Sequence, residues 1–188
     1  MIQTTDVNYY SEQVVVDNEI RNQIADPDPK KDWHYDKAEL TVVGILHKGK
    51  MWQIILGEDE ELFKTEIKGL LDTLPQPFYA FNMNMEKGNF KGYIGKDYNF
   101  EEIKPFLGRG WSKDRFYQEL VNDGLAQPIT DVFGGNAGLC ITEWAKGNWQ
   151  DVASHNSNCL RKEVQILQNQ SHLRNKYKDR IKPNGWLD

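Results

Sequence analysis

Asp17 and Glu19 stand one residue apart, directly after the run Val14-Val15-Val16. On an extended chain, residues i and i+2 project to the same face, so both carboxylates reach a single cation. Hard oxygen donors of this kind suit Mg²⁺ or Mn²⁺. A solvated turn is the alternative for so short a motif. Asn82 and Glu86 form a second pair, four residues apart, behind the aromatic run Phe78–Phe81. A helix beginning there shares one face between positions i and i+4 and turns Glu86 back over the sheet edge toward Asp17 and Glu19. Otherwise Asn82 only caps a helix and Glu86 faces solvent. A third set lies late in the chain, where His155, Cys159 and Glu163 follow one another at one-turn intervals. An imidazole titrates near neutrality, which suits a general base beside metals, although a helix-start His with an inward Cys is the plainer reading.

These groups need elements to hold them. Ser11–Asp17 reads as a buried central strand ending in an acid. Residues 21–38 read as a polar loop around Asp26-Pro27-Asp28-Pro29. Leu40–His47 and Met51–Leu56 form an antiparallel hairpin across Lys48-Gly49-Lys50. Glu58–Leu74 has helical spacing in Leu62, Phe63, Ile67, Leu70 and Leu71, acids in its first turn, and Pro75 and Pro77 behind it. Phe78–Phe81 is a short strand. The five glycines between residues 87 and 111 predict loops there, with a short strand near Glu102–Phe106. Helices follow at Ser112–Val121, capped by Ser112, at Leu139–Lys146, and at Trp149–Gln168. The pattern predicts one α/β domain over residues 1–188. Its expected core spans about 12–170, followed by a basic tail over 171–188.

Composition narrows the function. The chain has 188 residues, 39% of them hydrophobic and 12% aromatic, enough for a substantial core. Its two cysteines supply no disulfide framework, and their spacing with the four histidines gives no paired zinc motif. Met1–Tyr10 lacks the charged-then-apolar layout of a signal peptide, and no apolar run approaches the roughly 20 residues that cross a bilayer. A cytoplasmic protein with no membrane partner is the expectation. A net charge of −5 excludes a general charge-driven nucleic-acid coat. It leaves room for a nuclease, whose metal site is itself acidic. The basic cluster Arg174, Lys176, Lys178, Arg180 and Lys182 reads as a solvated, fraying terminus or as a strand-binding patch. No phosphate-binding glycine loop is present, and Asp151, Ser154 and His155 lie too close on one helix to form a hydrolase triad.

The order of these motifs resembles the DEDD superfamily of 3′–5′ exonucleases within the RNase H-like fold, and most nearly its exonuclease-type RNase H-like domains of bacteria and archaea. Asp17 and Glu19 match an acidic D-x-E on the first strand. Asn82, Met85 and Glu86 match an N-x-x-aromatic-acid motif, with Met for the aromatic residue. His155 and Asn156 match the start of a Tyr/His-Asn-x-x-Asp helix motif, and Asp131–Gly134, Trp144 and Gly147 add to the likeness. It covers roughly residues 12–170. The resemblance implies a central mixed β-sheet, an antiparallel hairpin plus parallel strands, flanked by α-helices. It also implies two-metal hydrolysis of DNA or RNA phosphodiesters with Mg²⁺ or Mn²⁺. In that scheme Asp17 is shared by both ions, Glu19 and Glu86 each help hold one, and His155 is the base. Asn82, Asn156, Arg161, Lys162, Arg174 and Lys176 hold the strand, and Tyr177 stacks on a base. Cys159 departs from the pattern where an acid is expected, and a thiol is a poor Mg²⁺ ligand. Glu163, Asp131 and Asp151 are the candidates to replace it. The alternative is a catalytically degenerate module that binds nucleic acid or a protein partner.

Overall fold

The computed structural model describes residues 1–23, 37–108 and 111–187. Its strands are β1 (Ile2–Asp6), β2 (Val14–Ile20), β3 (Leu40–His47), β4 (Lys50–Ile55), β5 (Phe78–Ala80) and β6 (Phe100–Glu102). Its helices are α1 (Glu60–Leu71), α2 (Met83–Ile94), α3 (Lys113–Asn122), α4 (Leu139–Ala145), α5 (Trp149–Gln168) and α6 (Gln170–Lys176). The six strands form one mixed sheet in the order β1-β4-β3-β2-β5-β6. β1, β4, β3 and β2 pair antiparallel in turn, whereas β2–β5 and β5–β6 are parallel. The chain is thus an α/β protein with helices on both faces of a mixed sheet. The loop expected at 21–38 lies mostly outside the described residues.

Alternation along the strands sends their side chains into two cores. Val14, Val16, Val43 and Ile45 pack with Phe63, Ile67 and Leu71 of α1 and Phe90 of α2. Val15 and Leu46 face the other way, onto Phe116 and Leu120 of α3 and Leu160 and Val164 of α5. This period-two division makes β2 a central strand, buried on both faces.

Four expectations change. β2 runs on through Asp17 and Glu19, because β3 offers both a partner, Gly44 opposite Asp17 and Val42 opposite Glu19. The acids therefore lie inside the strand and not at its end. Met1–Tyr10 contains β1, whose five residues are all exposed and are held by a backbone ladder to β4. The glycine-rich stretch is not loop throughout, since α2 continues to Ile94 and ends on Gly95 in the left-handed region at φ 73°. Phe90 explains this. It packs on Tyr98 and Phe100, and that burial outweighs the weak helix propensity of Gly88 and Gly92. Finally, the terminus is packed: Leu173 of α6 is fully buried, and Tyr177 lies against Phe106 and Trp111.

One feature of the topology opens the site. β5 pairs only with Val14 and Val15 of β2, and then the chain turns into α2. From Asp17 onward, no strand among the described residues pairs with the β5 side of β2. A crevice forms there, beyond the carboxyl ends of the parallel strands, which is where open α/β sheets place their sites.

Candidate metal centre

The crevice is a cleft of about 300 Å³, and Asp17, Glu19, Glu86, His155, Cys159 and Glu163 all line it. Asp17 and Glu19 reach it from the α5 face of β2. Glu86 reaches it from the first turn of α2, whose start is fixed by the Glu86 amide donating to the Asn82 carbonyl. α5 contributes the rest. Its close approach depends on Gly44, because a Cβ there would overlap Asn156 Oδ1 and Leu160. Asn156 fills that space and donates from Nδ2 to Asp17 Oδ2 at 2.9 Å and to the Asp17 carbonyl at 3.1 Å. Asn156 is wholly buried and is a clamp on Asp17; it does not reach the cleft surface.

Asp17, Glu19 and Cys159 present ligand atoms within 4.8 Å of one another. Glu86 belongs to no such triad among the described residues, although it shares the cleft and accepts a hydrogen bond from Asn18. Asn18 points to the opposite side of β2 and in turn accepts from Asn89 at 2.9 Å. Lys113, the first residue of α3, lies between the acids. Its Nζ donates to Asp17 Oδ1 at 3.0 Å and to Glu163 Oε1 at 2.8 Å. Burial works against this ammonium, but Asp17, Cys159 and Glu163 outweigh it and hold Lys113 charged well above the usual lysine range.

Negative charge nevertheless exceeds its compensation. Burial, then Asp17, push Glu19 well above the usual carboxylate range, and the same two causes lead for Glu86. Burial also raises Glu163, Lys113 pulling against it. Glu163 Oε2 is buried and has no hydrogen-bond partner among the described residues.

The sulfur and imidazole groups adjoin the acids. His155 is 1% exposed, with Nδ1 2.8 Å from Asp131 Oδ1 and Nε2 3.5 Å from Cys159 Sγ. Burial opposes ionisation of Asp131, but His155, the Phe133 amide and Lys162 hold its carboxyl below the usual range. Cys140 of α4 completes a second triad with Glu19 and His155, all within 4.8 Å. Both thiols are pushed up by burial. Glu19 adds to the shift at Cys140, and Lys113 opposes it at Cys159.

The remaining predicted residues fall elsewhere. Asp151 is exposed in the first turn of α5 and does not line the cleft. Asn82 lies at the rim, where Lys104 Nζ donates to its Oδ1 at 2.5 Å. Lys162 is buried between Asp114 at 2.6 Å and Asp131 at 3.1 Å, so its charge is internal. Arg161 sits 5.7 Å from the Tyr9 ring. Arg174 donates to the Pro105 carbonyl, and Lys176 pairs with Glu119 and Asp123. Tyr177 is half-buried among Phe106 and Trp111 rather than presented to a base. Sequence reasoning passed over Lys113, Lys104, Trp111 and Cys140 as site residues. Only the Ser112 cap, which starts α3, hinted at a fixed position for Lys113.

A scan against models of protein families and searches of curated proteins and of solved structures return no match for this chain.

Proposed function

We propose that the chain is a divalent-metal-dependent nuclease of the RNase H-like type, hydrolysing DNA or RNA phosphodiesters with 3′–5′ polarity. The observation that carries this reading is the burial of Asp17, Glu19, Glu86 and Glu163 in one cleft whose lining, among the described residues, offers only Lys104 and Lys113 as ammonium groups. Buried carboxylates without partners are costly, and cations are the usual compensation. Glu163 Oε2, buried and without a hydrogen-bond partner among the described residues, is a hard oxygen ligand, so the residues present fit Mg²⁺ or Mn²⁺. Asp17, Glu19, Glu86 and Glu163 are the residues that would hold them. Bound there, such ions supply Lewis acidity to a phosphodiester and stabilise charge in an in-line displacement.

The fold adds support. A mixed sheet of antiparallel and parallel strands flanked by helices, with Asp17 on a central strand, is compatible with that reading. The polarity rests on the likeness of the motifs alone. The chain's own groups suit a nucleotide end. Lys104 beside Asn82 offers an ammonium group to phosphate, and Phe81, Met85 and Trp111 give the cleft an apolar wall for a base or sugar.

Lys113 favours a second reading, since its ammonium already bridges Asp17 and Glu163. In that reading the lysine replaces the metal, and the protein is a non-hydrolysing module that binds nucleic acid or a protein partner. The test is Mn²⁺- or Mg²⁺-dependent nucleotide release from 3′- and 5′-labelled single strands, beside Asp17→Ala. Digestion of the 3′ end that vanishes in Asp17→Ala is expected. No digestion with either metal and either label overturns the nuclease in favour of the module.

A further inference from the structure

The C-terminal segment carries a second hollow, of opposite charge to the acidic cleft. It is a groove of about 420 Å³, lined by Arg174, Lys178 and Lys182 together with Pro105, Ile181 and Pro183. We propose that this groove binds the phosphodiester backbone of a single-stranded nucleic acid, with Trp186 stacking on an unpaired base.

Three observations argue for it. The first is charge. The chain carries −5 overall, yet no carboxylate is among the described residues that line the groove. α6 divides its cations: Lys176 pairs with Glu119 and Asp123, whereas Arg174 lines the groove. Three exposed cations on one hollow suit a polyanion whose charges repeat along a backbone. The second is fixation. Arg174 Nε donates to the Pro105 carbonyl at 2.9 Å, which uses one of five guanidinium donors and sets the side chain in place. The far wall is tied down as well. The Leu107 amide donates to the Gly185 carbonyl at 2.9 Å, and the Leu187 amide donates to the Leu107 carbonyl at 2.6 Å. The third is the aromatic ring. Trp186 follows Gly185 of the groove wall, is 41% exposed, and has its backbone bridged to Leu107. Cations that track a backbone beside a ring that takes a base are how unpaired strands are held. A duplex keeps its bases stacked on one another and offers such a ring nothing.

The groove adjoins the cleft. Lys104 and Pro105 are consecutive, the first lining the cleft and the second the groove, so one strand can occupy both. The inference deepens the proposed function and rests on it for the strand's course to the cleft, while binding in the groove itself needs no metal. Lys176 drops out of the strand-binding set expected from sequence, and Lys178 and Lys182 take its place beside Arg174.

The test uses the full chain in chelator, where nothing is cut, and a fluorescent oligothymidylate of about 12 nucleotides, within the usual site size. Anisotropy gives the affinity over a range of salt concentrations. Each phosphate neutralised adds about 0.7 to the slope of log affinity against log salt for a single strand. Lys178→Ala combined with Lys182→Ala should therefore flatten that slope by about 1.4, with folding checked by thermal melts. Lys50→Ala combined with Lys91→Ala removes the same charge outside the groove and should leave the slope as it is. Trp186→Ala should weaken binding about 5–150-fold, the loss of one stacked base. A duplex of equal length should bind more weakly, and inorganic phosphate at matched ionic strength should not displace the strand. No binding at low salt, an unchanged slope in the groove pair, an unchanged affinity in Trp186→Ala, or a duplex bound as tightly overturns the proposal. Displacement by inorganic phosphate overturns it too, by reducing the groove to an isolated anion site. Hydrolysis is scored separately: failure to cut leaves these affinities standing, and cutting with unaltered affinities removes the groove but keeps the nuclease.

Discussion

Asn156 occupies the volume that a Cβ on Gly44 would need, and from that seat it holds Asp17 through two hydrogen bonds. A backbone gap in β3 thereby fixes a carboxylate on β2. Gly44→Ala should shift Asn156 or lift α5, at a cost of about 1–3 kcal/mol for an overpacked core. Denaturant unfolding measures the loss, and hydrolysis should fall further than stability accounts for, because Asp17 loses its clamp. A variant as stable and as active as the parent would contradict this role for Gly44.

Lys113 supplies the internal cation of the cleft. Lys113→Met leaves Asp17 and Glu163 buried without their partner, and removing one member of a buried pair costs about 3–5 kcal/mol. The loss should be large in chelator and mostly recovered when Mn²⁺ is added, since the ion takes over the neutralising part. Thermal melts with and without metal read both arms. Equal destabilisation in the two conditions would mean that no ion enters between those acids.

The acid cluster sets the sign of a pH dependence. Glu19, Glu86 and Glu163 have folded values raised above the ordinary 4.5, chiefly by burial. Below 4.5 both folded and unfolded chains hold these protons, and the contribution to stability is complete. As pH rises the unfolded chain releases them first, so stability is lost up through the raised folded values. Metal-free protein should therefore melt lower at neutral than at mildly acidic pH, and Mg²⁺ or Mn²⁺ should flatten that slope. Asp72 acts in the opposite sense. Lys96 and Lys68 hold it down to about 2, so its small, exposed contribution is lost only as pH falls from 3.8 toward that value.

The C-terminal segment is part of the folded body. Leu173→Ala removes a fully buried side chain from the core shared by α3, α5 and α6, at about 2–5 kcal/mol. Deleting residues 170–188 also strips Tyr177 from Trp111 and Phe106, and should lower the melting temperature more than Leu173→Ala does. A truncated chain that melts like the parent would return this segment to the status of a free tail.

Much of this was legible in the sequence where local signals and burial agreed. α5 matches its expected limits because Val152, Leu160 and Val164 repeat at helical spacing and are all buried. The hairpin of β3 and β4 follows from two apolar runs around Lys48 and Gly49, both at positive φ. Asp17, Glu19, Glu86 and His155 were legible because each sits in a short pattern of its own, and the fold brings all four into one cleft. What stayed hidden depends on contacts distant along the chain. β1 has no alternating pattern, since its hold on the sheet is backbone pairing with β4. Lys113 meets Asp17 across 96 positions, and Cys140 meets Glu19 through the packing of α4. Neither residue carries a local mark of its neighbour. The strand-binding expectation for Lys162 and Asn156 met the same limit, because charge and amide are visible in sequence but burial is not.

α5 has a further consequence for how the molecule breathes. This single helix, packed across β2, β3 and α3, carries His155, Asn156, Cys159, Lys162 and Glu163. The centre therefore has no subunit of structure that opens alone. Amide hydrogens from Asn156 to Glu163 should exchange only through global unfolding, at the slowest rates in the chain, while β1 and the turn at Lys178–Arg180 exchange early. An ion or ligand bound at this centre would then slow exchange across the whole sheet rather than around the cleft alone, because the unit it stabilises is the entire fold.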